Sequence, residues 1–315
     1  MSERRRRKPS TSKLKTARRR SLPAKARSSQ APRARRHSVA PKRTHPPSTP
    51  ETRARALQWL IDWTRRQCGI SFEDDQRGLF EARLDCLSRD LDLPLEAIQA
   101  GVELGDHALT LRLADTVSTN YTFFFREPEM FDYLRYQVFP TFARAGALRI
   151  WSAAASSGEE AYSLAILAQE HLGPAATRVR ILGTDISQRQ LKFAERGEYR
   201  LEQLGPISES RLSSWFMPTA DGQLRVRDEL RAMCTFRRLN LLRRPWPFEQ
   251  RFQIVFLRNV LYYFEPATRR EVLDACYDVV EPNGFLITSL TEPLAADMVT
   301  RWRQLRPAVF QRGPR

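Results

Sequence analysis

The chain has 315 residues, and its 52 Lys and Arg against 36 Asp and Glu give a formal net charge of +16 at pH 7. It contains no apolar run of 18 or more residues and no signal-peptide core, so the usual sequence signs of a membrane-spanning or secreted protein are missing. We therefore expect a cytoplasmic protein without a transmembrane segment.

Residues 1–50 form a basic tail that differs from the rest of the chain. The tail holds 17 Lys and Arg but a single acid, Glu3, so it accounts for the whole net charge. Rich in Pro, Ser and Thr and poor in large apolar side chains, it cannot bury a core, and we expect it to be disordered. Three interpretations stay open: nonspecific contact with polyanions, a targeting extension, or a solvated tail without a specific partner.

Residues 51–117 show the spacing of a small helical domain. Leu57, Leu60 and Ile61 mark one face of a first helix, and Ile98 belongs to a later one. This region contains no catalytic candidate. The four cysteines of the chain are too far apart in sequence for a ligand cluster, and the histidines stand alone, so we expect no metal site.

Residues 118–140 form a linker between this helical region and the C-terminal part of the chain, and they begin with an unusual motif. Three consecutive phenylalanines follow Asn120 and Thr122 and are followed by Arg126. One interpretation is an interdomain plug whose aromatic rings pack into the core. The other is that the polar side chains point into a crevice, where Arg126 would bind a ligand carboxylate.

A short apolar strand at 148–151 leads into small residues and then into a helix that begins near Glu159 and Glu160. This arrangement is typical of the ligand crevice of a doubly wound α/β domain. The loop has one glycine, Gly158, and two acids where a dinucleotide would place phosphates, so a nucleotide phosphate is disfavoured. S-adenosylmethionine, with its ammonium and sulfonium, fits better; the alternative is an ordinary turn with a solvated glutamate pair.

A second strand, at 179–183, ends just before Asp185. An acid at the end of the second strand is where Rossmann-like sheets bind ribose hydroxyls. Asp185 could instead cap the helix predicted at 188–196, but Ser187 competes for that role. Both interpretations remain open from the residues alone.

The remaining elements complete an α/β domain over 141–315. Short strands at 214–217, 223–227 and 233–238 predict a small antiparallel subdomain, at about 205–238. An apolar strand at 252–257 ends at Arg258 and Asn259, and polar residues in that position line the crevice of such sheets. A helix at 266–280 and a strand at 285–290 complete the domain.

Five ordered motifs carry a resemblance to a known family. They are N-Y-T-F-F-F-R-E-P, W-S-A-A-A-S-S-G-E-E-A-Y-S-L-A, G-T-D-I-S, L-N-L-L and F-L-R-N-V-L-Y-Y-F. From about residue 55 to 311 the chain resembles the CheR-type chemoreceptor glutamate methyltransferases. The resemblance implies a Rossmann-like S-adenosylmethionine-dependent methyltransferase sheet with a small antiparallel subdomain, preceded by a helical N-terminal domain. Ala161, Tyr121 and Leu290 depart from the family's usual residues.

The resemblance also implies a set of functional residues. The expected contacts to S-adenosylmethionine are Asn120, Thr122, Arg126, Glu159, Asp185, Asn240, Leu241, Arg258 and Asn259. Charge and position at the crevice, rather than the resemblance, suggest the catalytic residues, Arg126 and Tyr263. Arg126, or alternatively Arg258, would orient the substrate carboxylate, and Tyr263, or alternatively Tyr262, would pack near the methyl group. The methyl acceptor would be a glutamate γ-carboxylate, which is already ionised at neutral pH and needs no general base.

The expected partner is the cytoplasmic helical region of methyl-accepting receptors, and the enzyme is expected to be a monomer. Because the loop at 218–222 is short, we do not expect tethering to a receptor's C-terminal peptide. Three alternatives are a signalling module that binds S-adenosylmethionine without turnover, a nucleic-acid methyltransferase anchored by the tail, and a related enzyme of a non-motility array.

Overall fold

The computed structural model describes residues 49–71, 77–118, 120–142 and 146–313. The predicted basic tail lies outside the described residues up to residue 48, so its predicted disorder and polyanion contact remain predictions. Within the described ranges, no helix combines the length and apolar content that a membrane crossing needs.

The α-helices of these ranges are α1 (Pro50–Cys68), α2 (Arg77–Leu91), α3 (Leu95–Glu103), α4 (His107–Val117), α5 (Pro128–Tyr133), α6 (Phe139–Phe142), α7 (Glu159–Leu172), α8 (Gln188–Arg196), α9 (Glu209–Trp215), α10 (Asp228–Arg231) and α11 (Pro266–Val279). The strands are β1 (Leu148–Ser152), β2 (Val179–Asp185), β3 (Glu198–Tyr199), β4 (Phe216–Pro218), β5 (Leu224–Val226), β6 (Cys234–Arg238), β7 (Phe252–Phe256), β8 (Val280–Ile287), β9 (Trp302–Arg306) and β10 (Val309–Arg312).

Helices α1 to α4 pack around a core of their own. Leu60, Phe80, Leu84, Ile98 and Leu113 are fully buried in this core. The apolar spacing read from the sequence therefore corresponds to real buried faces, because residues three or four apart lie on one side of a helix.

The large sheet has the strand order β6-β2-β1-β7-β8-β10-β9. Its first five strands are parallel, while at one edge β10 pairs antiparallel with β8 and β9 pairs antiparallel with β10. Starting from β1, the next strands β2 and β6 are added toward one edge of the sheet. Starting from β7, which lies beside β1, the next strand β8 is added toward the other edge. Ligands of such sheets bind at the carboxyl ends of the strands where the order reverses, so the crevice is expected beside β1 and β7. The predicted α/β fold is confirmed.

The prediction for the small antiparallel sheet is wrong in one strand. The observed order is β3-β5-β4, so Glu198–Tyr199 supplies the third strand. Residues 233–238 instead contribute β6, which pairs in parallel with β2 from Ile181↔Cys234 to Asp185↔Arg238. Phe236 is buried there and faces Gly183, where a side chain on the glycine would come within 2.6 Å of the ring. β6 is an edge strand in which only Phe236 is buried, so its residues alternate as they would in an antiparallel strand and the sequence pattern does not distinguish the two.

Candidate functional site

A cleft opens at the carboxyl ends of β1, β2 and β7, where the strand order reverses. About 930 Å³ of space lies in it, part of it open to solvent. Three parts of the chain line the cleft: the strand ends, the segment 118–126, and the end of α1. The lining residues are Cys68, Ile70, Ser118, Asn120, Tyr121, Thr122, Phe123, Arg126, Phe131, Ala153, Ala154, Ser156, Glu160, Asp185, Ile186, Leu239, Asn240, Leu241, Arg258, Asn259, Val260, Tyr263 and Phe264.

The loop after β1 presents small residues, so a ligand can approach its backbone. Ala153 and Ala154 lie in the cleft wall, and the chain turns into α7 at Gly158, which has a φ of 97°. A Cβ on Gly158 would lie 2.8 Å from the Cβ of Ala194 on α8. Glycine is therefore needed here both for the left-handed backbone and for the close packing of the two helices.

The two glutamates at the start of α7 have different positions. Among the described residues, Glu160 lines the cleft and Glu159, the expected cofactor contact, does not. Both carboxylate oxygens of Glu159 accept the hydroxyl of Ser157, at 2.9 and 2.8 Å. Burial raises the pKa of Glu159 to about 7, against the opposing effect of these hydrogen bonds. Glu160 is therefore the glutamate that faces the cleft, and the contact of Glu159 with the cofactor stays a prediction.

Asp185 lies at the end of β2 in the cleft wall, as expected. Its carboxylate accepts the backbone N–H groups of Ser156 and Ser187, both at 2.9 Å. Ser187 caps α8 with its hydroxyl through Gln190 N, so Asp185 is not needed as the cap. A carboxylate has about four lone-pair sites, so these backbone donors leave room for a hydroxyl donor in the cleft. Burial raises the pKa of Asp185, and the backbone donors oppose that effect.

Arg258, just after β7, is buried, and both of its Nη atoms are paired. Its side chain is 2% exposed, and its Nη1 lies 2.9 Å from Glu160 while Nη2 lies 3.5 Å from Glu127. Nη2 also donates to the carbonyl of Arg126. Burial opposes ionisation of Glu127, but Arg258 and three hydrogen bonds to the carboxylate outweigh it and hold the Glu127 pKa below its usual range. Arg258 thus ties β7, α7 and the linker together.

Arg126 also lies in the cleft wall but is differently placed. It is only partly buried, its Nη1 donates to the carbonyl of Tyr121 at 2.8 Å, and its guanidinium carbon lies 5.6 Å from the Tyr121 ring centre. Within the described ranges it forms no ion pair. The phenylalanines beside it pack inward: Phe124 contacts the rings of Tyr199 and Phe216. The linker therefore serves both as an aromatic plug and as a polar wall.

The helical region contributes to the cleft, which the sequence did not indicate. Cys68 and Ile70, on either side of the α1 cap, line it. The cap, Gly69, has a φ of 74°, and a Cβ there would come within 2.7 Å of Phe264 and 2.9 Å of Leu242. This close approach between distant segments is visible only in three dimensions.

Asn240 and Leu241 lie in the cleft wall, but the Asn240 amide is occupied within the protein. Its Nδ2 donates to the carbonyl of Gln67 at 2.6 Å, and its Oδ1 accepts from Leu242 N at 2.9 Å. The side chain therefore holds α1 against the sheet. Asn120, Thr122 and Tyr263 also line the cleft, as expected.

Two acids that the sequence interpretation missed hold the loop after β7. The Glu127 carboxylate accepts from Ser289 Oγ at 2.6 Å and Leu290 N at 2.8 Å, and from Asn259 Nδ2 at 3.3 Å. The buried carboxylate of Glu292 accepts from Asn259 N at 2.7 Å and from Tyr262 N at 3.1 Å. Asn259 has a φ of 57°, so these contacts also stabilise an unfavourable backbone.

Residues 120–307 match the CheR methyltransferase, SAM binding domain. A chemotaxis protein methyltransferase of Salmonella typhimurium is 36% identical over 238 residues, covering 72% of this chain and 80% of the relative. Chemotaxis protein methyltransferase 1 of Pseudomonas aeruginosa is 32% identical over 73% of this chain and 86% of its own length. A chemotaxis protein methyltransferase of Borreliella burgdorferi is 27% identical over 82% and 94%. The chain therefore belongs to the CheR methyltransferase family, and its cofactor is S-adenosylmethionine.

Proposed function

We propose that this enzyme methylates glutamate side chains in the cytoplasmic helical region of methyl-accepting receptors, giving glutamyl methyl esters for sensory adaptation. The names of the relatives support a role in chemotaxis. The observation that carries the proposal is Arg126, a cation in the cleft wall that no acid in the described part of the chain neutralises. Such a guanidinium is suited to bind a carboxylate in two-pronged geometry.

The cleft is suited to a nucleophile that arrives ionised. A glutamate carboxylate loses its proton well below neutral pH, so the enzyme needs no general base. No histidine occurs among the described lining residues. Burial raises the pKa of the Cys68 thiol to about 12, so this residue is protonated and is neither a base nor a nucleophile.

The donor set in the cleft fits S-adenosylmethionine. Asp185 offers free lone pairs to ribose hydroxyls, and Ile70, Ile186 and Leu241 provide an apolar surface for a ring. Ala153 and Ala154 let the ligand reach the backbone. When bound, the cofactor supplies a methyl group on a positively charged sulfur.

The chain's own contribution is to align the acceptor and exclude water. Arg258 is excluded as the group that binds the acceptor, because Glu160 and Glu127 already neutralise it. Arg126 is therefore assigned to hold the acceptor carboxylate. Tyr263 lies beside it in the wall, with its hydroxyl accepting from Tyr262 at 2.9 Å and its carbonyl accepting from Ser71 N. These bonds fix the Tyr263 ring in the cleft wall, and we assign it to pack near the methyl group.

The test is methyl transfer to a purified cytoplasmic receptor fragment, with radiolabelled S-adenosylmethionine. Glutamyl esters release labelled methanol in alkali, whereas methylated amines do not. Arg126→Ala should lower kcat/KM for the fragment about 100-fold, because truncating one partner of a desolvated charge pair costs at least ~2 kcal/mol. The matched control is Arg178→Ala, an exposed arginine at the opposite end of β2. If Arg126→Ala kept wild-type turnover and cofactor affinity, the assignment would be wrong.

A further inference from the structure

Exposed apolar side chains lie close to the mouth of the cleft. Among the described residues, Tyr121 is 72% exposed, Tyr262 46% and Leu290 39%, although the three are far apart in sequence. We call these three residues the apolar rim. Single exposed apolar residues are ordinary on protein surfaces, but several around one pocket indicate a binding surface.

Contacts to the linker and to the loop after β7 place the rim around Arg126. The Tyr121 carbonyl accepts from Arg126, and Leu290 N donates to the adjacent Glu127 at 2.8 Å. Tyr262 stacks on Tyr263, with ring centres 4.2 Å apart, and Tyr263 lines the cleft. The cleft's unpaired cation is therefore bordered by apolar groups.

The backbone of the rim is fixed, although its side chains are exposed. Glu127 holds Leu290, and Glu292 holds Tyr262, in both cases through the backbone N–H. A rigid backbone with exposed apolar side chains is preorganised, so binding a partner loses little conformational entropy.

We propose that the apolar rim selects the acceptor glutamate by binding apolar side chains one helical turn before and after it on the receptor helix. This proposal rests on the proposed function. On a helix, residues three and four positions from the glutamate lie on its own face, about 5–6 Å away. Arg126 matches the carboxylate of the glutamate, and the three side chains of the rim match apolar groups beside it. The preferred substrate face is therefore an acid with apolar neighbours one helical turn away on either side.

The experiment compares two helical peptides of equal length and net charge, each with one glutamate. One carries leucine three and four positions before and after the glutamate, and the other carries glutamine there. A purified cytoplasmic receptor fragment is the reference substrate. The wild-type enzyme should favour the leucine peptide about tenfold or more in kcat/KM, the usual size of an apolar side-chain contact.

Variants of the rim, each paired with a control variant, then show which residues cause the preference for the leucine peptide. Leu290→Ala should reduce it several-fold, while Leu305→Ala, 37% exposed on β9, should leave it unchanged. Tyr121→Ala should also reduce it, and Tyr136→Ala, 60% exposed and likewise next to an arginine, should not. The cofactor affinity of Leu290→Ala should stay at the wild-type value, which separates substrate selection from damage to the cleft.

Other results would overturn either the role of the rim or the proposed function itself. If the enzyme methylates the fragment but accepts both peptides equally, or neither, the role of the rim is wrong and the proposed function stands. If it methylates neither the fragment nor a peptide, the proposed function fails and the rim proposal fails with it.

Discussion

The two walls of the cleft are built in opposite ways. In the wall formed by the strand ends, Asp185, Glu160 and Arg258 are buried and paired with other groups of the protein. In the wall formed by the linker, Arg126 and Tyr121 are more exposed and have few partners. The strand-end wall is thus held by the fold: Glu160 and Arg258 neutralise each other, while Asp185 accepts only backbone N–H groups and keeps lone pairs for the cofactor. The linker wall keeps its charge and apolar surface for a ligand.

The largest effect is expected from removing the ion pairs of Arg258 in the strand-end wall. Arg258→Gln would leave Glu160 and Glu127 buried without their cation, and removing one partner of a buried ion pair costs about 3–5 kcal/mol in the free energy of unfolding. Urea denaturation measures this loss. Arg270→Gln, which breaks a pair with Asp297 on the surface, should cost at most ~1 kcal/mol. Equal losses would mean that the Arg258 cluster contributes no more than a surface pair.

A second prediction uses the buried acid that lies beside the cleft wall. The Glu159 pKa rises from its ordinary value near 4.5 to about 7 on folding, chiefly through burial. Between these values the folded state binds more protons than the unfolded state, so stability falls as pH rises from 4.5 to 7. Glu159→Gln should remove this part of the slope, up to about 3 kcal/mol at 1.36 kcal/mol per pKa unit.

Urea denaturation of the wild type and Glu159→Gln across this pH range measures the difference. Glu103→Gln, at the exposed end of α3, is the control. Parallel curves for the wild type and Glu159→Gln would show that the buried carboxyl is ionised throughout.

The smallest of these effects is expected at Glu127, which connects the two walls. Glu127→Gln keeps the size of the side chain but loses the charge that holds Arg258, Ser289 and Leu290 N. We expect kcat to fall about tenfold, since a hydrogen bond to a charged group contributes roughly 1.5–3 kcal/mol. Cofactor affinity should change less, because Glu127 does not line the cleft. Glu129→Gln, two residues along and exposed, should behave like the wild type. Equal losses in affinity and turnover would contradict a positioning role.

The strand-end wall could be predicted largely from the sequence. Asp185, Arg258 and Asn259 follow apolar runs, and parallel strands bring their carboxyl ends to one edge of the sheet. The choice between Glu159 and Glu160 could not be made, because adjacent residues on a helix differ by about 100° in direction and the start of α7 was not known to one residue.

The remainder depends on contacts between segments distant in sequence. The approach of Gly69 to Phe264 joins the helical region to the sheet, and Glu292 holds a loop about 30 residues before it in the chain. The assignment of 233–238 failed for a related reason, because strand alternation does not indicate which strand will be the neighbour. The exposed linker residues were predicted from the motif and its family resemblance, since local packing imposes little pattern on them.

We propose that the strand-end wall binds S-adenosylmethionine through Asp185. Titration calorimetry on the full chain tests it directly, with Asp185→Ala as the variant and Asp278→Ala, on the exposed face of α11, as the control. We predict binding by the wild type and the control, and at least about 100-fold weaker binding by Asp185→Ala, because a buried site loses its hydroxyl acceptor. Wild-type affinity in Asp185→Ala, or no binding by the folded wild-type chain, would contradict the role of Asp185 in binding the cofactor.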